Sequence, residues 1–179
     1  MHDRNLLDAL AALPTETYVG KVYRATRESL DPFATSTFGG RWSKPDGQAV
    51  LYTCLDWLGA LKELAYHWNL QTPPLSKPIV VHTLRIQTER TLRLLRTNFP
   101  ALGLQATELN QFEMRRTQEI GEAVAFLDFD GLIVPSARHP CDNLIVFQAN
   151  SGSSYGLFAL EKSEKLENEV WQERVRDQE

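Results

Sequence analysis

The chain has 179 residues, of which 42% are hydrophobic and 23% charged, and its formal net charge is -4 from 19 Lys+Arg and 23 Asp+Glu. This suits one globular domain with a sizeable core, and the acidic balance argues against direct nucleic-acid binding. There is no signal-peptide pattern and no apolar run near the ~20 residues of a membrane helix. We therefore expect a cytoplasmic protein that does not bind membranes, with residues 1–179 as a single domain, a core at about 18–160 and a charged C-terminal tail at 161–179.

The first half of the chain predicts two helices and two strands. The predicted elements are a helix over 3–13, a strand over 18–24, a strand over 49–54 and a helix over 57–68. Asp56 is a plausible N-cap for the second helix. Residues 26–47 form a long connection rich in Ser, Thr, Pro, Gly and Asp, and loops of this length in compact domains are usually functional or disordered.

The second half predicts one helix and more strands. The predicted elements are a turn over 71–78, strands over 79–86, 91–95, 131–136, 143–148 and 155–160, a helix over 107–124 and a loop over 137–142. The tail at 161–179 has a helical tendency around Val170 and Trp171. Because helices and strands mix without regular βαβ alternation, the pattern favours an α+β fold with flanking helices and a mixed, mainly antiparallel sheet.

The helix over 57–68 carries a carboxylate away from its apolar stripe. The stripe consists of Trp57, Leu61, Leu64, Ala65 and Trp68. Steps of about 100° per residue place Glu63 off this stripe, beside Gly59, Ala60 and His67. Small neighbours leave room for a ligand to approach the carboxylate, whereas a solvated helix face looks the same from sequence. For His67 a structural role is favoured.

Three side chains of different chemistry precede or lie on this helix. Arg41 follows Gly39 and Gly40 and can present a planar guanidinium to a phosphate or carboxylate. Tyr52 ends a strand and can stack on a flat ring while its hydroxyl finds a polar partner. Glu63 can stabilise positive charge that develops on a sugar, or accept hydrogen bonds from sugar hydroxyls. Taken singly, a loop-pinning arginine, a core-edge tyrosine and a solvated glutamate are the favoured interpretations.

Polar residues near the end of the chain add further candidates. Ser136 stands where a strand opens into a loop and can donate to a phosphate or an amide, but no Gly-x-Ser-x-Gly elbow marks it as a nucleophile. Asn143 is expected to pin the loop before the next strand. Cys54 and Cys141 are interpreted as two reduced thiols. No histidine shows metal-ligand spacing, so no metal site is predicted.

Read together, these motifs resemble the RES domain family over about 18–147. The motifs in chain order are Tyr23-Arg24, Gly39-Gly40-Arg41-Trp42, Val50-Leu51-Tyr52, Glu63, Gly131-Leu132-Ile133-Val134-Pro135-Ser136-Ala137 and Asn143-Leu144. The resemblance implies a fold similar to ADP-ribosyltransferases, with a cleft for NAD+. It also implies an enzyme that cleaves the nicotinamide–ribose bond of NAD+, as a glycohydrolase or phosphorylase.

The resemblance assigns roles to particular residues. It places the catalytic arginine, tyrosine and glutamate on Arg41, Tyr52 and Glu63. The NAD+-binding set that it implies is Arg24, Gly40, Arg41, Tyr52, Ser136 and Asn143. NAD+ is then the substrate, and no bound cofactor is expected.

The resemblance also implies a biological role and a partner. RES proteins are toxins of type II toxin–antitoxin systems, so we expect an Xre-type antitoxin encoded nearby, and a homodimer within that complex is left open. Two other functions compete with NAD+ degradation: mono-ADP-ribosylation of a protein target, and a non-catalytic binding module. The presence of all three cleft residues speaks against the binding module, and the sequence does not say whether water, phosphate or a protein accepts the ribosyl group.

Overall fold

The computed structural model describes residues 2–36, 38–73 and 75–176. Within these residues it has four α-helices: α1 Arg4–Ala11, α2 Trp57–Asn69, α3 Arg115–Phe126 and α4 Asn168–Arg176. Its six strands are β1 Thr15–Arg27, β2 Val50–Cys54, β3 Ile79–Arg93, β4 Gly131–Pro135, β5 Asp142–Phe147 and β6 Ala159–Leu166. Parts of three predicted segments lie outside the described residues: Thr37 of the connection, Pro74 of the turn and 177–179 of the tail.

The strands form one sheet in the order β1-β2-β5-β4-β3-β6, and a further pairing of β1 with β3 closes five of them into a ring. Among the described strands, only β3 and β4 run parallel, and the other neighbours are antiparallel. The predicted α+β class with a mixed, mainly antiparallel sheet is therefore confirmed. The long β3 pairs with β1 on one edge and with β6 and then β4 on the other.

The prediction of two strands, at 79–86 and 91–95, was wrong because β3 is continuous. Its polar stretch around Glu89 stays extended because the backbone there has partners on both sides. The amides of Glu89 and Arg90 donate to the Asp130 carboxylate at 2.7 and 2.9 Å, and Thr88 pairs with Tyr18 of β1. The hydrophobic pattern of the sequence does not reveal such contacts.

The predicted helix over 107–124 is only partly present. Residues Ala106–Asn110 form a short 3-10 helix, and α3 begins at Arg115. The carbonyls of Glu108, in the 3-10 helix, and of Gln111, just after it, accept hydrogen bonds from the Arg41 guanidinium. These carbonyls are engaged by a distant side chain, so the segment turns instead of continuing as a helix.

The predicted strand over 155–160 and the tail after it were also misplaced. β6 runs from Ala159 to Leu166 and pairs with β3, so residues 161–166 belong to the sheet. Most of its side chains are exposed and half of them are charged, as is common on edge strands, so the segment carried no strand signal. The helical tendency near Val170 is confirmed by α4, whose Trp171 is buried and donates to the Lys77 carbonyl at 2.9 Å.

Helices cover the sheet where apolar faces meet. The predicted stripe of α2 is confirmed: Leu61, Ala65 and Trp68 are buried in a cluster with Trp171 of α4. Asp56 caps α2, because its carboxylate accepts from the Gly59 amide at 2.7 Å. α1 and α3 pack in a second cluster. Among the described helices, none is both long and apolar enough to span a membrane.

Candidate active site

A cavity of about 730 Å³ opens between β1, the loop of residues 39–43 (called the glycine loop here), β2, α2 and the start of β5. This volume is within the usual range of small-molecule sites. The structure brings the predicted residues together here: those that line the cavity are Arg24, Gly40, Arg41, Tyr52, Glu63 and Asn143. Ser136 is not among the lining residues. It is buried and contacts the site through its hydrogen bond to Glu63. Their grouping follows from the fold, while their chemical roles stay predictions.

Glu63 is held by two side chains through one of its oxygens. Its Oε1 accepts from Ser136 Oγ at 2.7 Å and from Asn143 Nδ2 at 3.0 Å. Ser136 Oγ is oriented in turn by the backbone amides of Arg138 and His139, at 3.0 and 3.3 Å. Within the described residues no hydrogen bond uses Glu63 Oε2. The carboxylate is thus fixed in orientation while one oxygen stays available to a ligand.

The two small residues beside Glu63 have different surroundings. Ala60 lines the cavity, as its place beside Glu63 predicts. Gly59 does not open onto free space, because a Cβ there would lie 2.6 Å from the sulfurs of both Cys54 and Cys141. The expectation that Gly59 leaves room for a ligand was therefore wrong.

Arg41 both pins a loop and lines the cavity. Its Nη1 and Nη2 donate to the carbonyls of Glu108 and Gln111 at 3.2 and 3.0 Å. Burial, and after it the charge of Arg138, lowers the pKa of the Arg41 guanidinium from its usual value, and Glu63 opposes that shift. Two arginines that repel each other beside one cavity form a favourable place for an anion.

Tyr52 supports the glycine loop through its hydroxyl. The oxygen accepts from the Trp42 amide at 3.2 Å and shares a hydrogen bond with Ser43 Oγ at 3.0 Å. Burial raises the pKa of the Tyr52 phenol, which therefore stays protonated at neutral pH. The loop passes so close that a Cβ on Gly40 would lie 2.6 Å from the Tyr52 oxygen.

Arg24 lies inside β1 and not at its end, because the strand continues to Arg27. Its Nη1 donates to the Pro32 carbonyl at 2.9 Å, so it ties the long connection to the sheet. It also lines the cavity. Arg24 is thus placed to contact a ligand and to hold the rim.

Sequence analysis did not identify Arg138 or Tyr66 and favoured a structural role for His67, but all three line the cavity. The Arg138 guanidinium lies 3.4 Å from the centre of the Tyr66 ring, and both residues line the cavity. The position of Arg138 just after a strand end was a usable signal, since binding residues are often on such loops. His67 lines the cavity too, and burial lowers the pKa of its imidazole, against the influence of Glu63.

The buried amide oxygen of Asn143 has no hydrogen-bond partner among the described residues. The Asn143 nitrogen donates to Glu63, so the oxygen is oriented as an acceptor next to the carboxylate.

No group of three or more His, Cys, Asp or Glu residues able to hold a metal ion occurs in the described part of the chain.

The fold and site define an α+β protein with an arginine, a tyrosine and a glutamate around one cavity. The RES domain model matches residues 21–156, well over half of the chain. The chain therefore belongs to the RES domain family, as the motifs predicted.

Solved structures show the same fold. A chain of the M. tuberculosis MbcT-MbcA toxin-antitoxin complex superimposes with a TM-score of 0.83 at 21% identity. The match covers 97% of this chain and 98% of that one. No curated protein matches the sequence.

Proposed function

We propose that this protein is the toxin of a type II toxin–antitoxin system and that it degrades NAD+ by cleaving the nicotinamide–ribose bond. The observation that carries the proposal is the Glu63 carboxylate, held through Oε1 in the same cavity as Arg41 and Tyr52. Membership of the RES domain family supports it. We further propose that the closed sheet is a variant of the ADP-ribosyltransferase fold.

The chemistry requires little beyond orientation and charge stabilisation. When the bond between nicotinamide and ribose breaks, its electrons leave with the neutral nicotinamide and positive charge develops on the ribose. A carboxylate fixed nearby lowers this barrier without having to reorganise. Ser136 and Asn143 hold Glu63 in place, and no strong general acid is needed because the leaving group is neutral.

Two arginines, Arg41 and Arg138, are suited to bind the diphosphate of the substrate. NAD+ carries a diphosphate, and Arg41 and Arg138 both line the cavity. Burial, and after it the charge of Arg138, lowers the pKa of Arg41, and a bound dianion would oppose both effects. The ring of Tyr52, and the face of the Tyr66 ring that Arg138 does not cover, offer flat surfaces for nicotinamide or adenine.

We also propose that a protein antitoxin of the Xre type, encoded nearby, restrains the enzyme. One structural neighbour comes from a toxin-antitoxin complex, which supports such a partner. The rim formed by the connection between β1 and β2 is the surface we expect it to cover, since such loops commonly carry binding residues.

The deciding experiment incubates purified protein with NAD+ and follows free nicotinamide by chromatography, with and without inorganic phosphate. We expect nicotinamide release, and the ribosyl product identifies water or phosphate as the acceptor. Label incorporated into protein from adenine-labelled NAD+ would instead indicate mono-ADP-ribosylation. No NAD+ loss from well-folded protein would contradict the proposal.

Glu63→Gln provides the matching variant. It keeps an acceptor for Ser136 but removes the charge, so we expect NAD+ turnover to fall by about 100-fold to 1,000-fold, as for other single electrostatic groups. Glu173→Gln, the same change at an exposed position of α4, is the control and should behave as wild type. Near-normal turnover in folded Glu63→Gln protein would contradict the role assigned to Glu63.

A further inference from the structure

The two cysteines of the chain lie next to each other in the fold. The sulfurs of Cys54 and Cys141 are 3.3 Å apart, although 87 positions separate the residues in sequence. Both are free thiols. The pairing of β2 with β5, continued by the Leu55 amide to the Asp142 carbonyl at 2.9 Å, brings them together. The sequence-based interpretation as two reduced thiols did not include this contact.

The pair is also adjacent to the Glu63 site. Both sulfurs pack against Gly59, one helical turn before Glu63 on α2. Cys141 belongs to the loop that carries Ser136, and the Ser136 amide donates to the Cys141 carbonyl at 2.8 Å. A movement of Cys141 therefore acts on the residue that orients Glu63.

We propose that Cys54 and Cys141 are a redox-active dithiol, which hydrogen peroxide closes to an intramolecular disulfide, and that the disulfide lowers the activity of the neighbouring site. The claim about activity rests on the proposed function. The claim about the disulfide rests only on the thiol geometry.

Little movement is needed to form the bond. A disulfide S–S bond is about 2.05 Å long, so the sulfurs must approach each other by about 1.2 Å. Cys54 is 2% exposed and fixed in β2, whereas Cys141 is partly exposed and sits at the end of a loop. The loop is therefore the part that moves, and the hydrogen bond of Ser136 to Glu63 is the contact most directly disturbed.

The two thiols have different reactivity. The hydrogen bond between them lowers the pKa of the Cys141 thiol and raises that of Cys54. Because the thiolate is the nucleophile and Cys141 is the accessible partner, Cys141 is the sulfur that attacks first.

The reaction balances with one peroxide molecule. The Cys141 thiolate attacks one peroxide oxygen, the O–O bond breaks, and hydroxide leaves and takes up a proton as water, which gives a sulfenic acid. The Cys54 sulfur then attacks Cys141, the S–O bond breaks, and the Cys54 proton leaves with the oxygen as a second water. The two thiols together lose two electrons, which reduce the peroxide.

The test treats the purified full-length chain with hydrogen peroxide and measures intact mass, free thiols and disulfide-linked peptides. We expect both thiols to disappear, the mass to fall by two hydrogens, and a peptide pair joining Cys54 and Cys141 that dithiothreitol separates. Free thiols after treatment, or oxidation of Cys141 to a sulfinic acid without a link, would overturn the proposal.

The activity claim uses Cys141→Ser as the control. We expect peroxide to reduce nicotinamide release from wild type several-fold and dithiothreitol to restore it, whereas Cys141→Ser keeps its activity. Met114 also lines the cavity, but its oxidation would affect both proteins and is not reversed by dithiothreitol. Disulfide-linked protein with unchanged nicotinamide release would overturn the claim that the disulfide lowers the activity of the site.

Failure of the proposed function gives a different result. In that case even the fully reduced wild type releases no nicotinamide. The redox proposal is then decided by the linked peptides and by amide hydrogen exchange in residues 136–142, which we expect to change on oxidation in wild type and not in Cys141→Ser. Linked protein with unchanged exchange would overturn the proposed movement of the loop.

Discussion

The hydroxyl of Tyr52 has a structural role that its position in the sequence did not reveal, while stacking by its ring stays a prediction. Stacking on a flat ring was the predicted role, with a polar partner for the hydroxyl. The hydroxyl does have partners, but they are the Trp42 amide and the Ser43 side chain, both in the loop that carries Arg41. The oxygen of Tyr52 is thus a structural support for the glycine loop, and the residue also lines the cavity.

We therefore predict that Tyr52→Phe is damaging although it keeps the ring. Trp42 and Ser43 are buried, and leaving such groups without a partner costs about 1–3 kcal/mol. The free energy of unfolding measured with urea should fall by this amount, and the KM for NAD+ should rise because Arg41 is less well positioned. Tyr18→Phe, which removes a hydroxyl bonded to the Lys21 carbonyl away from the cavity, is the control. A Tyr52→Phe protein with wild-type stability and KM would show that stacking alone matters.

At the scale of elements, α3 supports the glycine loop from the other side. A Cβ on Gly121 of α3 would lie 1.9 Å from the Trp42 carbonyl oxygen. Gln118, one turn earlier on α3, donates to the Gly40 carbonyl at 3.0 Å. The loop that presents Arg41 is therefore packed directly on a helix, and only glycine allows this approach.

We predict that Gly121→Ala separates α3 from this loop. Overpacking of this kind typically costs about 1–3 kcal/mol, which exceeds what alanine adds to helix propensity. The melting temperature and the NAD+ turnover should both fall. Arg115→Ala places an alanine at an exposed position of the same helix and should change neither. A Gly121→Ala protein as stable as wild type would contradict the tight contact.

The strands β1, β3 and β6 are joined by a buried histidine. His82 of β3 is 5% exposed, and its ring nitrogens hydrogen-bond Thr26 Oγ1 at 2.9 Å and Ser163 Oγ at 2.8 Å. Burial, and after it the charge of Arg24, lowers the pKa of His82 below its usual 6.5. The folded state therefore binds this proton less readily than the unfolded chain.

The sign of the pH dependence follows from this shift. At pH values above the ordinary histidine pKa, His82 is neutral in both states, so its titration does not change the free energy of unfolding there. As the pH falls from 6.5 towards the lowered pKa, the unfolded state gains protons first, so the free energy of unfolding decreases. We predict a shallower decrease for His82→Gln than for wild type between about pH 7.5 and pH 5.5, measured by urea unfolding. Equal slopes would contradict the role of His82.

For the whole molecule, the proposed function predicts toxicity that depends on the site. Expression of the chain alone should arrest bacterial growth and lower cellular NAD+, because the enzyme drains a shared cofactor. Co-expression of the adjacent antitoxin gene should restore growth. Glu63→Gln, at equal soluble expression, should not arrest growth. Unchanged growth and NAD+ with well-expressed wild type would contradict the toxin assignment and favour a binding module.

The sequence by itself determined those features of the protein that depend on residues close together in the chain. The apolar stripe of α2 and its Asp56 cap are local patterns, and both were predicted correctly. The Gly-Gly-Arg-Trp and Val-Pro-Ser-Ala motifs, with Tyr52 and Glu63 between them, carried the resemblance to the RES domain family, which the family match confirmed. Such signals need only the helical and strand periods and the identities of nearby residues.

Only the tertiary structure decided what depends on pairing between distant segments. The register of β4 and β5 sets Ser136 and Asn143 on Glu63, 73 and 80 positions away. The pairing of β2 with β5 joins the two thiols. In the same way, the charged β6 became a strand because β3 offered it a free edge. Backbone hydrogen bonds between strands are made by every residue type, so no local pattern of side chains determines which strands meet.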